Sequence, residues 1–351
     1  MSAFNAVKEF FRKHSTFLND VRILRFICGF YFHTNLSNIL TWTHKLYSFL
    51  CLTSIGILNF AYASFPYHIL PTEYLISSII SLYTGDEYFF KYFRAMKTND
   101  VIMGRDISLF DCNRLASPLI IACRICFICL SYLTYPLSIS TIALTIADFA
   151  SKVNVMLITT IFYALYVRMT FLRRRFERNT VSVNIISEAC ALGKAREVRR
   201  CLIHYHNLLD TLQDTGKVLE AVVSRFVPFY PRLCDFYRLG LRIKLFPECI
   251  THVLVTTEVF VLMCAPAVAV ELVKHEVDNI KKVLSRQMLR CSDKHLLLEL
   301  QVAMECITRR PFNYVLFGAV PLDISHPIAV FSLTVTYVIV AFQFTKFAGS
   351  H

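Results

Sequence analysis

Long apolar runs along the chain alternate with shorter stretches rich in Lys and Arg. Mostly apolar segments occur at about 42–64, 70–90, 116–136, 149–171, 217–237, 249–272 and 320–345. As a helix of about 20 residues, each is long enough to cross a hydrocarbon core of roughly 30 Å. The fifth is interrupted by Arg225, Pro228, Pro231 and Arg232, so hydropathy alone counts six. The pattern predicts an all-α membrane protein of seven transmembrane helices in a single domain over 1–351.

Two of the polar connections carry a helical pattern of their own. From Glu188 to Asp214, Leu192, Leu202, Leu208, Leu209 and Leu212 recur among charged residues, and from Val273 to Cys306, Val277, Ile280, Val283, Leu284, Leu297, Leu300 and Met304 do the same. That spacing predicts that the fourth, sixth and seventh spans continue as amphipathic helices past the membrane, over about 173–216 and 273–319, and pack into a partly shared base.

Charge gives these segments a direction. The N-terminal stretch (Lys8, Arg12, Lys13, Arg22, Arg25) and the second, fourth and sixth connections are rich in Lys and Arg, while the first and third connections contain neither. The positive-inside tendency predicts a cytoplasmic N-terminus with cytoplasmic extensions and an extracellular C-terminus. The fifth connection, with Arg238, Arg242 and Lys244, runs against it. The sequon at Asn35-Leu36-Ser37 is then cytoplasmic and is expected to stay unglycosylated. The first 25 residues mix charged and apolar positions, so no cleavable signal peptide is expected and the mature chain is expected to begin near Met1.

Composition agrees with this class: 55% of residues are hydrophobic, with 30 Phe and 17 Tyr, and mean hydropathy is +0.49. The net charge of +12 calls for no nucleic-acid partner, since basic loops facing anionic membrane lipids account for it. Neither a DRY triplet nor an NPxxY motif is present, and the orientation is opposite to that of G-protein-coupled receptors.

No HExxH, GxSxG, Walker or Rossmann pattern occurs, so the chain reads as a non-enzyme without a cofactor. Of the 13 cysteines, Cys123, Cys126 and Cys129 form a C-x2-C-x2-C run without the fourth cysteine a cluster needs, so no metal site is expected. Arg124, Arg225, Arg232 and Glu258 lie within apolar runs and must face protein or water. By the predicted topology, Tyr74, Tyr132, Tyr135, Asp148, Asn154, Thr256 and Glu258 fall toward the outer side. They are candidate contacts of a ligand pocket opening outward. Buried pairing and an aromatic interface belt are the structural alternatives.

The closing run Thr336-Tyr337-Val338-Ile339-Val340-Ala341-Phe342-Gln343-Phe344 fits TYhhhhhQF, where h is apolar. Thr336, Val340 and Gln343 share one helix face, with Tyr337 and Phe344 on the next. A polar Thr and Gln in a span either bond to neighbouring helices, worth about 1 kcal/mol, or line a water-filled path.

This run, with the Phe317 to Asp323 stretch before it and Tyr205-His206-Asn207-Leu208-Leu209-Asp210 upstream, resembles the insect gustatory receptors, seven-span members of the insect chemoreceptor superfamily. The resemblance implies a subunit of a tetrameric, ligand-gated, non-selective cation channel in the cell membrane. Thr336, Tyr337, Val340, Gln343 and Phe344 would then sit at the pore or gate, and the extensions would anchor subunits to one another. Its partners would be a small-molecule tastant, membrane lipids, permeating cations and other gustatory receptor subunits, in homo- or hetero-tetramers. Bitter or other non-volatile plant compounds are the expected ligand class. Leu209→Asp and Leu300→Asp are expected to cost subunit association. A multi-pass transporter or an accessory chemoreceptor subunit without its own ligand is the alternative. A transporter would show helix breaks at matching positions in two halves, and a Pro-rich break is seen only in the fifth span.

Overall fold

A computed structural model describes residues 23–32, 38–62, 69–85, 87–104, 139–178, 188–223, 246–316 and 320–325, together with helical positions between 328 and 343. Along them run α1 (Asn38–Tyr62), α2 (Ile69–Thr84), α3 (Glu87–Ile102), α4 (Ile139–Arg178), α5 (Glu188–Val223), α6 (Phe246–Arg290) and α7 (Lys294–Arg309). An antiparallel hairpin of β1 (Val315–Leu316) and β2 (Val320–Pro321) follows, pairing Val315 with Pro321. The third predicted span, with Arg124, Tyr132, Tyr135 and the cysteine run, lies outside the described residues, as do Arg225, Arg232 and the fifth span beyond Val223.

The two longest helices explain the architecture. With 40 and 45 residues, α4 and α6 are about 60 and about 68 Å long at 1.5 Å per residue, roughly twice a hydrocarbon core. Each therefore has an apolar half and a charged half, as the periodicity predicts. Among the described residues, one helix, Thr145–Arg178, is long and apolar enough to cross a membrane, and Tyr74–Thr84 is a shorter apolar stretch. Helix α1 exposes Ile39, Trp42, Leu46, Phe49, Leu50 and Ile57, a continuous apolar face of the kind that marks contact with lipid or another protein.

The predicted second span is broken. The apolar run over 70–90 continues through Gly85, but Gly85 adopts φ +63° and its N–H donates to the Ser81 carbonyl at 2.8 Å. That left-handed turn closes α2 before α3 begins at Glu87. Helix α3 then carries Phe89, Tyr92, Phe93 and Met96 into the main core.

That core lies among the extensions: Phe162, Leu165, Leu172 and Phe176 of α4 meet Val273, Val277, Ile280 and Leu284 of α6. Helix α7 lies across α5 and α6. Its buried positions Leu296, Leu300, Ala303 and Ile307 recur at steps of four, three and four, so one stripe faces the core. Asp293 caps its start, its Oδ1 accepting from the Leu296 N–H at 2.8 Å. Leu209 and Leu300 thus belong to the chain's own core, at 7% and 0% exposure. A loss of association on Leu209→Asp or Leu300→Asp would therefore follow from damage to this core.

A second, smaller core surrounds residues 23–32, which the charges at Arg22 and Arg25 had assigned to a cytoplasmic flank. In the fold this segment packs against α1, α2 and α4, with Cys28 and Phe30 buried beside Ile55, Tyr74, Ala147, Ala150 and Val153. Its backbone is held by side chains: the Tyr74 hydroxyl donates to Cys28 O at 2.8 Å, Ser81 Oγ donates to Tyr31 O at 2.6 Å, and His44 Nε2 lies 3.2 Å from Phe30 O. Gly29 is required where the segment turns. Its φ is +76°, and a Cβ there would lie 2.6 Å from Cys51 Cβ and 2.9 Å from the Tyr74 hydroxyl.

Candidate pore face and ligand-facing wall

Three of the candidate pocket residues are described with their side chains, and all three have partners. Tyr74 is buried with its hydroxyl committed to the Cys28 carbonyl. Asn154 is buried and accepts from Arg25 Nη1 at 2.8 Å. Asp148 pairs one turn along α4 with Lys152 at 3.0 Å. Tyr74 and Asn154 therefore both hold the 23–32 segment. Thr256 and Glu258 lie on α6, with their side chains outside the described residues, and Tyr132 is outside altogether.

The described positions of the closing helix form one stripe. Ile328, Ser332, Val335, Thr336, Ile339, Val340 and Gln343 are all exposed, and they follow one another at steps of three, four or one. Thr336 Oγ1 donates back to Ser332 O at 2.9 Å. Hydroxyls at 332 and 336 and the amide at 343 thus alternate with branched aliphatic groups. Tyr337 and Phe344 lie outside the described residues.

The strand hairpin connects this helix to the base. Leu322 N–H donates to Tyr314 O at 3.0 Å, and Tyr314 is buried with its ring edge-on to Phe162 of α4, centroids 4.9 Å apart. Just upstream, Arg310 ends α7 against α5. The Tyr205 hydroxyl donates to Arg310 O at 2.8 Å, and Arg310 Nη2 donates to Asp210 at 2.5 Å and Gln213 at 3.0 Å. The Tyr205 to Asp210 stretch noted in the sequence is thus the surface on which the connection into the last helix is seated.

One buried ion pair leaves little trace in the sequence. Arg168 of α4 grips Asp100 of α3 with two parallel hydrogen bonds, Nε to Oδ1 at 2.9 Å and Nη2 to Oδ2 at 2.5 Å, and its Nη1 donates to Ala164 O. The side chains are 1% and 4% exposed. Its signal was an arginine within the fourth apolar run; the partner, 68 residues away, gave none.

His204 of α5 is buried nearby, and its Nε2 has no hydrogen-bond partner among the described residues. Burial first, then the Arg168 and Arg175 guanidinium groups, push its pKa down to about 4. An unfolded histidine titrates near 6.5, so as pH falls the unfolded chain takes up this proton first. The neutral His204 therefore contributes stability above about pH 6.5 that is lost progressively toward pH 4. Thermal melts of the detergent-solubilised protein should show a slope in this window that His204→Leu flattens. An unchanged slope would assign the acid sensitivity to other groups. Burial likewise pushes the neighbouring Cys201 thiol up to about 12, which makes it inert toward thiol reagents. No group of metal-ligating side chains occurs among the described residues.

No protein family model and no curated protein matches the chain. Among solved structures, the insect olfactory receptor OR5 from Machilis hrabei, in complex with eugenol, is similar over 93% of this chain and 97% of its own, with a TM-score of 0.62 and 16% sequence identity. The chain has the insect olfactory receptor fold. Nearly complete coverage of both chains means that the likeness spans nearly the whole fold rather than a shared helix pair. At 16% identity the likeness shows the fold alone, whereas the gustatory reading rests on the closing-helix motif.

Proposed function

We propose that this chain is a gustatory receptor, a subunit of a tastant-gated, non-selective cation channel in the cell membrane. In this reading seven helices span the bilayer with the N-terminus cytoplasmic, and four subunits, alike or mixed, surround one pore. The observation that carries it is the exposed stripe of Ser332, Thr336 and Gln343 interleaved with Val335, Ile339 and Val340, which begins one turn before the TYhhhhhQF run and continues through it. Four such stripes around an axis would offer ions polar contacts when apart and a dewetted constriction when close.

The likeness to a receptor in complex with eugenol supports a small-molecule ligand, for which a bitter or other non-volatile plant compound is the proposed class. The base formed by α5, α7 and the charged halves of α4 and α6 serves as the anchor, and the Arg310 junction passes its movement to the pore helix. The chain carries no catalysis or cofactor chemistry in this role.

Whole-cell recording with a gating ligand and matched surface expression tests the pore assignment. Gln343→Ala and Phe344→Ala are expected to change basal current or cation selectivity while the rank order of ligands stays the same. If both variants abolish ligand binding and leave unitary conductance and selectivity untouched, the stripe is packing or pocket surface instead.

A further inference from the structure

A cleft of about 350 Å³ opens on the side of the chain between α1, α2, the start of α4 and the 23–32 segment. Its volume is at the low end of small-molecule sites, which are about 300–1,000 Å³. The long wall is the α1 face from Tyr47 to Leu58, a distance of about 16 Å at 1.5 Å per residue. Tyr74, Ile27 and Ile146 complete it.

Three features restrict what fits. The lining is mostly apolar, with hydroxyls at Tyr47, Ser54 and Tyr74, and the Tyr74 hydroxyl is already bonded to the Cys28 carbonyl, so that group asks for no hydrogen bond from an occupant. The inner wall is tight, because the Gly29 backbone lies against Cys51 and Tyr74 with no room for a Cβ. The mouth is continuous with exposed apolar surface: Ile27 and Leu50 of the cleft are 59% and 53% exposed, and Leu46, Phe49 and Ile57 flank it on α1. A long, narrow, apolar slot open sideways to an apolar face matches an extended hydrocarbon chain.

We propose that this cleft is a lipid site that holds one acyl chain of a membrane phospholipid against α1 and the 23–32 segment. The inference rests on the membrane-receptor reading above. Occupied, the slot would brace the segment that Tyr74 and Asn154 hold, linking bilayer composition to the wall bearing the candidate ligand residues.

The test is photolabelling in nanodiscs of phosphatidylcholine carrying a diazirine on one acyl chain, with adducts mapped by peptide mass spectrometry. The peptide containing Leu50 to Leu58 is expected to carry more adduct than the Ile39 and Trp42 face of the same helix, which serves as the bulk-lipid control. Ser54→Trp, filling the slot from an exposed position, should lower the cleft adduct about tenfold, the equivalent of two displaced methylene groups, with the control adduct and elution profile unchanged. Equal labelling of cleft and control, or labelling unaffected by Ser54→Trp, overturns the lipid site. Displacement of the cleft adduct by a soluble small molecule such as eugenol also overturns it and makes the slot a ligand pocket. Failure of both faces to label, with the protein extracted by alkaline carbonate, overturns the membrane reading itself.

Discussion

Asp100→Ala should destabilise the fold by about 3–5 kcal/mol, the usual cost of leaving one member of a buried ion pair without its partner. Arg168 is the group left behind. It is 1% exposed, and without the carboxylate only the Ala164 carbonyl, among the described residues, still accepts from its guanidinium. Because the pair joins α3 to α4, the loss should appear as early melting and as protease cleavage within the base. The charges themselves add little net stability once their desolvation is counted, so Asp100→Leu combined with Arg168→Met should recover most of the loss. A single variant that melts with the wild type, or a double variant no better than the single, would mean that the pair is neither as buried nor as coupled as its geometry states.

Where a feature depended on neighbours in sequence, it was readable in advance. The stripe of Thr336, Val340 and Gln343 follows from helical periodicity alone, and those three residues share one exposed face. The charged continuations of α4 and α6 and the helix from Glu188 onward were readable for the same reason.

Features set by a backbone sign or a distant partner were not. Hydropathy carries straight through Gly85, where a positive φ ends α2. Arg25 reads as a surface charge, yet it is buried because Asn154, 129 residues later, receives its hydrogen bond. Arg168 reads as a lone charge in an apolar run because its partner, Asp100, is on another helix. Periodicity shows that a helix has an apolar face but not whose apolar face it meets, and Leu209 and Leu300 meet the core of their own chain.

The same distinction separates two variants on α7 that hydropathy treats alike. Leu300 is fully buried, while Leu298 is 58% exposed and shares the outer face with Val302, at 40%. Leu300→Asp removes a core side chain, at about 2–5 kcal/mol, and also forces a carboxylate into an apolar site. We expect it to unfold the base, with the protein lost to aggregation before any assembly can be measured. Leu298→Asp should leave the folded subunit within about 0.5 kcal/mol of wild type. If the outer face of α7 is the contact between subunits, burying Leu298 there is worth about 1.5–3 kcal/mol, so its loss should weaken association about tenfold to a hundredfold. Mass photometry of detergent-solubilised protein reads this as tetramers giving way to well-folded smaller species at matched melting temperature. Intact tetramers with Leu298→Asp, alongside collapse with Leu300→Asp, would remove this face from the assembly and leave α7 as part of the core alone. Soluble, correctly melting subunits with Leu300→Asp would contradict the packing of the base itself.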